Sequence, residues 1–304
     1  MRALVTGGAG FVGTNLIKRL LSDGCEVVSL DNYSTGFKTN HVEGAQYIEC
    51  DISDHMRRHK GFGLEQYQLD TPDVIFHLAA LARIQPSFDE PTETFRTNTV
   101  GTQNILEYSR MNGHIPVIYA GSSSSHGDKY CNPYTFTKWQ GEELMKLYNQ
   151  VWDLPTTICR FYNVYGPNQL TEGKYCTVVG IFERQFKNGE PLTITWEGEQ
   201  RRDFTHVDDI VDGLVKCAEG IKYSRENGES TGHITGQLFE LGTGNNYSIN
   251  EVADAFGEDY PREYIDRRPG EMLETLCVDT LAKDVLGWKP KKDLIEYIKK
   301  YYVE

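Results

Sequence analysis

Residues 122 to 138 read SSSSHGDKYCNPYTFTK, four consecutive serines followed by Tyr134 and Lys138 four positions apart. On a helix, side chains at i and i+4 share a face, so the phenol and the ammonium would stand side by side. An ammonium beside a phenol favours the phenolate and can bring a tyrosine from about 10 toward neutrality, where it serves as a general base. A serine hydroxyl close by would hydrogen-bond the same substrate oxygen and orient it for hydride transfer. The plainer alternative is a polar turn running into a helix with an incidental surface lysine. Lone YxxxK pairs are common by chance, so the surrounding elements must decide.

Hydride transfer needs an acceptor, and the N-terminal sequence offers a place for one. GGAGFVG, residues 7 to 13, follows a strand-like run and opens an amphipathic segment, with glycines at 7, 10 and 13 and with Phe11 and Val12 between the last two. Such glycines permit a tight turn, let backbone approach a pyrophosphate and allow close packing of helix on sheet, while the helix N-terminus offers unpaired N–H groups to the anion. Asp31 closes the next strand-like run. There a carboxylate can bind both ribose hydroxyls of an adenosine and repel a 2′-phosphate, which favours NAD over NADP. The alternative is a turn that merely tolerates glycine.

These pieces belong to a regular rhythm. RALVT, CEVVSLD, QYIEC, DVIFHLAA, PVIYAGS and TTICRFYNVYG are rich in valine, isoleucine and aromatics, and amphipathic segments separate most of them. That alternation implies βαβ units and an α/β fold, a Rossmann-type doubly wound parallel sheet with helices on both faces. In FVGTNLIKRLLSDG the residues Phe11, Leu16, Ile17, Leu20 and Leu21 share one helical face, and Gly24 is placed to cap its end. Residues 1–166 are expected to form the dinucleotide-binding domain. Residues 167–304 are expected to form mostly a smaller, discontinuous substrate-binding lobe, with segments near 200–220 and 237–244 returning to the first domain. Within the second part CTVVGIFERQFKNG and VDDIVDGLVKCAEG read as helices, PLTITW as a strand, 228–233 as a loop, and KKDLIEYIKKYYVE as a docked terminal helix.

Composition narrows the function classes. The 304 residues are 39% hydrophobic and 25% charged, the proportions of a globular protein large enough for two lobes. A net charge of -13 repels nucleic acid and anionic membranes, so neither is an expected partner and any anionic ligand needs a local positive site. The opening MRALVTGG enters a strand directly, which speaks against a signal peptide, and no stretch is apolar enough to span a bilayer. Cysteines 25, 50, 131, 159, 176, 217 and 277 show neither CxxC pairs nor metal-ligand spacing. They read as reduced thiols of a cytoplasmic protein, and no metal site is expected.

The GxxGxxG spacing in TGGAGFVG resembles the extended short-chain dehydrogenase/reductase family. Within that family the chain is similar to the nucleotide-sugar epimerases and dehydratases of the UDP-glucose 4-epimerase type. The likeness runs through LDNYSTG (30 to 36), FHLAA (76 to 80), TNTVGTQNILE (97 to 107), PYTFTK (133 to 138), RFYNVYGP (160 to 167), GEQRRDFTHVDD (198 to 209), RRPGE (267 to 271) and LGWKP (286 to 290). It implies that Asp51 and Ile52 flank the adenine, and that Asn32, Leu78, Ala79 and Ala80 line the cofactor. It further implies that Asn98 sits near the cofactor and that Phe161 packs near the nicotinamide.

The resemblance also selects the serine. The family places a serine or threonine five residues before the glycine of a VYG turn, and with Gly127 as that glycine the position is Ser122. The implied catalytic set is Ser122, Tyr134 and Lys138, the last two also touching the cofactor. Ser123 and Ser124 take the next two places, against the substrate. In the sugar 4,6-dehydratases these places resemble an Asp-Glu pair that removes water, and in the uronate decarboxylases the second is glutamate. Neither is acidic here, so elimination across C5 and C6 lacks its acid and base. Two departures stand out. Ser125-His126 replaces the usual Val-Tyr, and only twelve positions separate Ser122 from Tyr134, a shortened loop. His126 reads as an exposed turn residue.

An acidic protein that binds a nucleoside diphosphate sugar needs fixed cations, and arginine suits this through its planar donor fork. The resemblance implies that Arg202 of QRRDF and Arg268 of RRPGE clamp the diphosphate, that Asn163 hydrogen-bonds it or the sugar, and that Val178 borders the substrate. Arg83 and Gln85, following FHLAA, are placed to reach the sugar. Leu276, three residues before Asp279, falls where related epimerases carry a residue whose bulk decides whether an N-acetyl group fits. The expected activity is NAD-dependent C4 epimerisation of a UDP-hexose or UDP-N-acetylhexosamine through a 4-keto intermediate. The rivals are a reductase, dehydratase or decarboxylase of nucleotide sugars, and a non-catalytic NAD-binding sensor or scaffold. Segments 92–112 and 134–151 resemble the helices that pair across a homodimer in relatives.

Overall fold

The structure, a computed structural model, describes residues 1–54 and 70–303. The apolar runs of the first half become strands β1 (Arg2–Thr6), β2 (Glu26–Asp31), β3 (Gln46–Glu49), β4 (Val74–His77), β5 (Val117–Ser122) and β6 (Thr156–Phe161). The second half adds β7 (Val164–Tyr165), β8 (Leu192–Thr195), β9 (Arg201–Asp203), β10 (Thr205–His206), β11 (Leu238–Leu241), β12 (Asn246–Ser248) and β13 (Arg262–Ile265). Helices α1 (Phe11–Ser22), α2 (Ile84–Asp89), α3 (Pro91–Phe95), α4 (Gly101–Met111) and α5 (Pro133–Trp152) accompany the first half. Helices α6 (Val178–Asn188), α7 (Val207–Glu226), α8 (Ile249–Asp254), α9 (Leu281–Leu286) and α10 (Leu294–Ile298) follow.

Seven parallel strands form the central sheet in the order β11, β6, β5, β4, β1, β2, β3. The order reverses between β1 and β4, and open α/β sheets bind ligands at such a switch, beyond the carboxyl ends of the strands. On one face Leu16, Ile17 and Leu20 of α1 pack with Ile210, Val211 and Leu214 of α7. On the other, Ile105 and Leu106 of α4 pack with Met145 and Tyr148 of α5. A separate core joins Val179 and Phe182 of α6, Leu192 and Ile194 of β8, Val252 of α8, and Leu294 and Ile298 of α10. The chain therefore returns to the central sheet through α7 and β11 after entering this second core.

Local sequence explains the ends of these elements. Helix α1 stops because Gly24, at φ +76°, turns the chain left-handed while the N–H groups of Gly24 and Cys25 donate to Leu21 O and Leu20 O. The terminal segment is helical only as α10, and Lys299–Val303 continue as a wider π-type turn. Glu304 lies outside the described residues. A similar π-type turn at Arg96–Val100 joins α3 to α4.

At the switch point His77, 1% exposed, bridges two hydroxyls: its Nδ1 lies 2.8 Å from Thr6 Oγ1 and its Nε2 2.9 Å from Thr102 Oγ1. Burial pushes the imidazole down to about 3, helped by the charge of Lys138, so it stays neutral.

Two measurements follow from this packing. An added Cβ at Gly24 meets nothing within 4 Å. Gly24→Ala should therefore cost only backbone strain, about 1 kcal/mol in a urea titration. An unfolded histidine takes up its proton near 6.5, whereas folded His77 resists until about 3. Between those values the unfolded chain binds the extra proton, so stability is full above 6.5 and falls with falling pH, by about 1.4 kcal/mol per unit from this group. Urea midpoints at pH 7 and pH 5 should drop less steeply in His77→Gln than in the wild type.

Candidate active site

The loop between β1 and α1 is a cradle that only glycine can form. Gly7 has φ +74°, and a Cβ there would lie 2.9 Å from the Ala79 backbone; a Cβ on Gly13 would lie 2.2 Å from the Gly7 carbonyl oxygen. Gly10 begins α1 without a side-chain cap, which leaves the first-turn amides of Phe11, Val12 and Gly13 unpaired where they border the cleft. At the end of β2 the Asp31 carboxylate accepts the N–H of Ala9 at 2.9 Å and of Tyr33 at 2.8 Å. Burial pushes this carboxyl up while those two amides pull it down. With one amide on each oxygen, it keeps lone pairs for the two hydroxyls of a ribose. Cradle, helix terminus and buried carboxylate together fit an adenine dinucleotide without a 2′-phosphate.

One continuous cleft runs from this cradle to the second lobe. Asn32, Ile52, Leu78, Ala79, Ala80 and Phe161 border it at the cradle end. Two residues expected here are turned elsewhere. Asn98 is 1% exposed, and its amide is consumed by Leu81 N and O and by Thr137 Oγ1, so it braces the 78–84 loop while its neighbour Thr97 borders the cleft. The Asp51 carboxylate is held by the N–H and hydroxyl of Ser53 and by Asn32 Nδ2, leaving Cys50 and Ile52 at the cleft wall.

Ser122 ends β5 and Tyr134 begins α5, and the short connection between them closes the pair without difficulty. Tyr134 OH donates to Ser122 Oγ at 3.1 Å, and Ser124 Oγ stands 2.9 Å from the same atom. Asn132 caps α5 by accepting the Thr135 N–H at 2.7 Å, and the Tyr134 N–H donates to Ser87 Oγ at 3.1 Å, so the phenol is aimed by backbone as well as by packing. Lys138, 3% exposed, departs from the expected arrangement. Its ammonium donates to the Ala120 carbonyl and lies 4.2 Å from the centre of the Tyr119 ring. Burial pulls it down to about 8 against the opposing charge of Glu142. The phenol is pushed up by burial; the Ser122 hydrogen bond and the charge of Arg83 oppose that rise. The protein's own groups thus push Tyr134 up, and the expected fall toward neutrality calls for the positive nicotinamide ring as well as Lys138.

Beneath the serines lies a charged network that the reading of motifs missed. Glu142, fully buried, accepts two hydrogen bonds from the Arg160 guanidinium, at 3.0 and 2.7 Å, and one from Ser125 Oγ at 3.2 Å. Arg160 also reaches Glu240 at 3.1 Å. Glu240 in turn holds His126 at 2.6 Å and Tyr162 OH at 2.7 Å. His126 is the exposed turn residue expected, and its contact with Glu240 also ties the shortened loop to β11. One signal was available: Glu142 follows Lys138 by four positions and so continues the same helical face.

The far end of the cleft is bordered by Ser123, Ser124, Arg83, Asn163, Val178, Arg202 and Arg268. Arg202 donates to its neighbour's carbonyl at 2.9 Å. Among the described residues none of the three arginines forms an ion pair within 4.0 Å. Asn163 spends its Nδ2 on Asp203 O and Thr275 Oγ1, which leaves only its Oδ1 toward the cleft. Gln85 also borders the cleft, and its Nε2 donates to the Pro269 carbonyl at 2.9 Å, which ties α2 to the loop that carries Arg268. Leu276 points outward at 39% exposure, because alternation in this extended segment buries Thr275 and Cys277 instead. Thr275 borders the cleft, with Cys176 and Met272, none of which the motifs had flagged. Among the described residues no cluster of three metal-ligating side chains occurs, and no helix is long and apolar enough to cross a membrane.

Known proteins share this arrangement. The sequence model of the NAD dependent epimerase/dehydratase family matches residues 3–229. A UDP-glucose 4-epimerase of Mycolicibacterium smegmatis is 34% identical, covering 99% of this chain and 97% of its own. UDP-glucuronic acid decarboxylase 6 of Arabidopsis thaliana is 30% identical over 97% of this chain and 86% of its own. The crystal structure of a UDP-glucose 4-epimerase of Thermotoga maritima with UDP-glucose superposes with a TM-score of 0.87 at 29% identity, covering 98% of this chain and 96% of that one. With the cradle, Asp31 and the Ser122–Tyr134 pair in place, the chain belongs to the NAD-dependent epimerase/dehydratase family, and NAD is its cofactor.

Proposed function

We propose that the protein epimerises a nucleoside diphosphate sugar, a UDP-sugar by analogy with its relatives, at C4. The observation that carries this reading is the Tyr134 OH to Ser122 Oγ contact of 3.1 Å beside the cofactor cradle, with serines at 123 and 124 in place of carboxylates. Ser122 would hold O4 of the sugar and Tyr134 would take its proton as the base, then return it. NAD held by the 7–13 cradle and Asp31 would supply the hydride acceptor and donor for C4, and its positive ring would favour the phenolate of Tyr134. Lys138 fixes the Ala120 carbonyl and adds its charge from the β5 side. Dehydration would require an acid and base flanking C5 and C6, and Ser123 and Ser124 supply neither. A decarboxylase also passes through a 4-keto sugar, so the product decides between the two.

The arginines of the far end support a diphosphate, with Arg202 and Arg268 as its clamp and the α6 N-terminus beside Val178 adding backbone amides. Exposed Phe95, Leu147, Val151 and Trp152 on α3 and α5 support a homodimer formed through those helices. All seven cysteines are free, which supports a reducing, cytoplasmic setting.

The test uses purified protein with no added cofactor. It is mixed with UDP-glucose, UDP-galactose or their N-acetyl counterparts, and the anomeric protons are followed by NMR. The C4 epimer should appear without accumulated NADH, and Tyr134→Phe should lose at least about 100-fold in turnover while keeping its NAD. UDP-glucuronic acid run in parallel would give a pentose if the protein is a decarboxylase, lasting NADH with an oxidised sugar would replace the epimerase reading with a net oxidoreductase, and unchanged turnover in Tyr134→Phe would remove Tyr134 from the chemistry. Light scattering at micromolar protein should give twice the 34.6 kDa chain mass, and a monomer would overturn the dimer.

A further inference from the structure

Three arginines border the substrate end of the cleft, and their positions differ. Arg202 and Arg268 belong to the second lobe, where the diphosphate is placed. Arg83 belongs to the first, as the residue that begins α2 directly after the cofactor-lining 78–82 stretch. Among the described residues it makes no hydrogen bond, ion pair or ring contact, although it is largely removed from water. Its charge acts on the Tyr134 phenol, and beyond that on Cys176, Arg268 and Glu271. A guanidinium taken from water with no partner carries a desolvation cost that a neutral hydroxyl compensates poorly and a carboxylate compensates well.

Net charge alone does not single out Arg83. The three arginines against Glu271 leave two positive charges, as many as a diphosphate carries in negative ones. Position does single it out. Tyr134 and Ser122 fix C4 of the sugar, while the diphosphate leaves from C1 across the ring. Ser87, one turn further along α2, accepts the Tyr134 N–H at 3.1 Å, so α2 starts beside the reacting end of the cleft and Arg83 borders the C4 side of the ring, where the C5 substituent is the neighbour of the reacting carbon. Arg202 and Arg268 remain for the diphosphate.

We propose that the sugar is a uronate, a hexose whose C5 substituent is a carboxylate, and that Arg83 is the residue selecting it. This rests on the sugar-nucleotide reading of the cleft. Binding requires no new covalent step: the carboxylate oxygens accept from the planar fork while C4 is oxidised and reduced as before.

The test compares UDP-glucuronic acid with UDP-glucose on the purified full chain with its NAD, for the wild type and Arg83→Gln. The wild-type kcat/KM should favour the uronate by at least about 100-fold, and Arg83→Gln should remove most of that preference, chiefly through KM for the uronate. Equal kcat/KM for the two sugars in the wild type would overturn the proposal, as would a variant that loses the same factor on both. If the wild type converts neither, the C4 epimerase reading fails by itself, and calorimetric binding of the same two nucleotides decides this one. Tighter binding of the uronate that disappears in Arg83→Gln sustains it; equal affinity overturns it. Arg83→Lys, which keeps the charge but not the fork, should retain part of the preference and guards against a folding defect in the glutamine variant.

Discussion

The Arg160 guanidinium, held between Glu142 and Glu240, is the interaction on which the reacting end of the cleft depends. Two buried carboxylates flank a single cation, and each carboxylate supports a different part of the turn above. Glu142 receives Ser125 Oγ beneath Ser122, and Glu240 receives His126 and Tyr162. Breaking a buried ion pair by removing one partner costs on the order of 3–5 kcal/mol, since the remaining charge has no water to turn to. The turn from Ser122 to His126 therefore rests on charge, and this explains how a connection of only twelve positions can still bring Tyr134 to Ser122. A longer loop would need its own packing to hold its shape. This one borrows rigidity from β6, β11 and α5.

A third buried carboxylate organises the other lobe. Asp203, fully buried, accepts the backbone N–H groups of Thr243, Gly244 and Cys277 and so gathers β9, the loop after β11 and the 274–277 segment at one point. Arg202 and Thr275 are fixed beside it, as is the Asn163 side chain, which donates to the Asp203 carbonyl. Among the described residues the arginines that border the cleft form no ion pair, and neighbouring backbone held by such staples fixes where Arg202 sits. In a chain of net charge -13 that arrangement gives an anionic nucleotide a local set of cations to bind.

Much of this was legible in the residues themselves. The glycines at 7, 10 and 13 declare the cradle because no other residue tolerates the approach of Gly7 to Ala79 or of Gly13 to Gly7. Periods of two and of 3.6 placed the six strands of the first half and α1, and Asp31 followed from its place at the end of β2. The readings that went astray have physical causes. Asn98 lies one residue from the cleft wall, and a helical turn rotates its amide into the loop it braces. Leu276 sits in an extended segment, where an offset of one position moves a side chain to the opposite face. Lys138 borders the cleft with Tyr134 as expected, but its ammonium donates to the Ala120 carbonyl of β5, a contact set by length and packing.

The sequence by itself determined the parallel sheet, the dinucleotide cradle and the pairing of a phenol with a serine hydroxyl, since each rests on local spacing or on backbone freedom at a few glycines. Only the tertiary structure decided which charges meet. Arg160 and Glu240 lie 80 positions apart and Glu142 stands on another element, so nothing in local pattern joins them. Nor does local pattern show that Arg83 finds no partner among the described residues. Electrostatic pairing depends on distance through folded space and on loss of water, and neither quantity exists until the chain has packed.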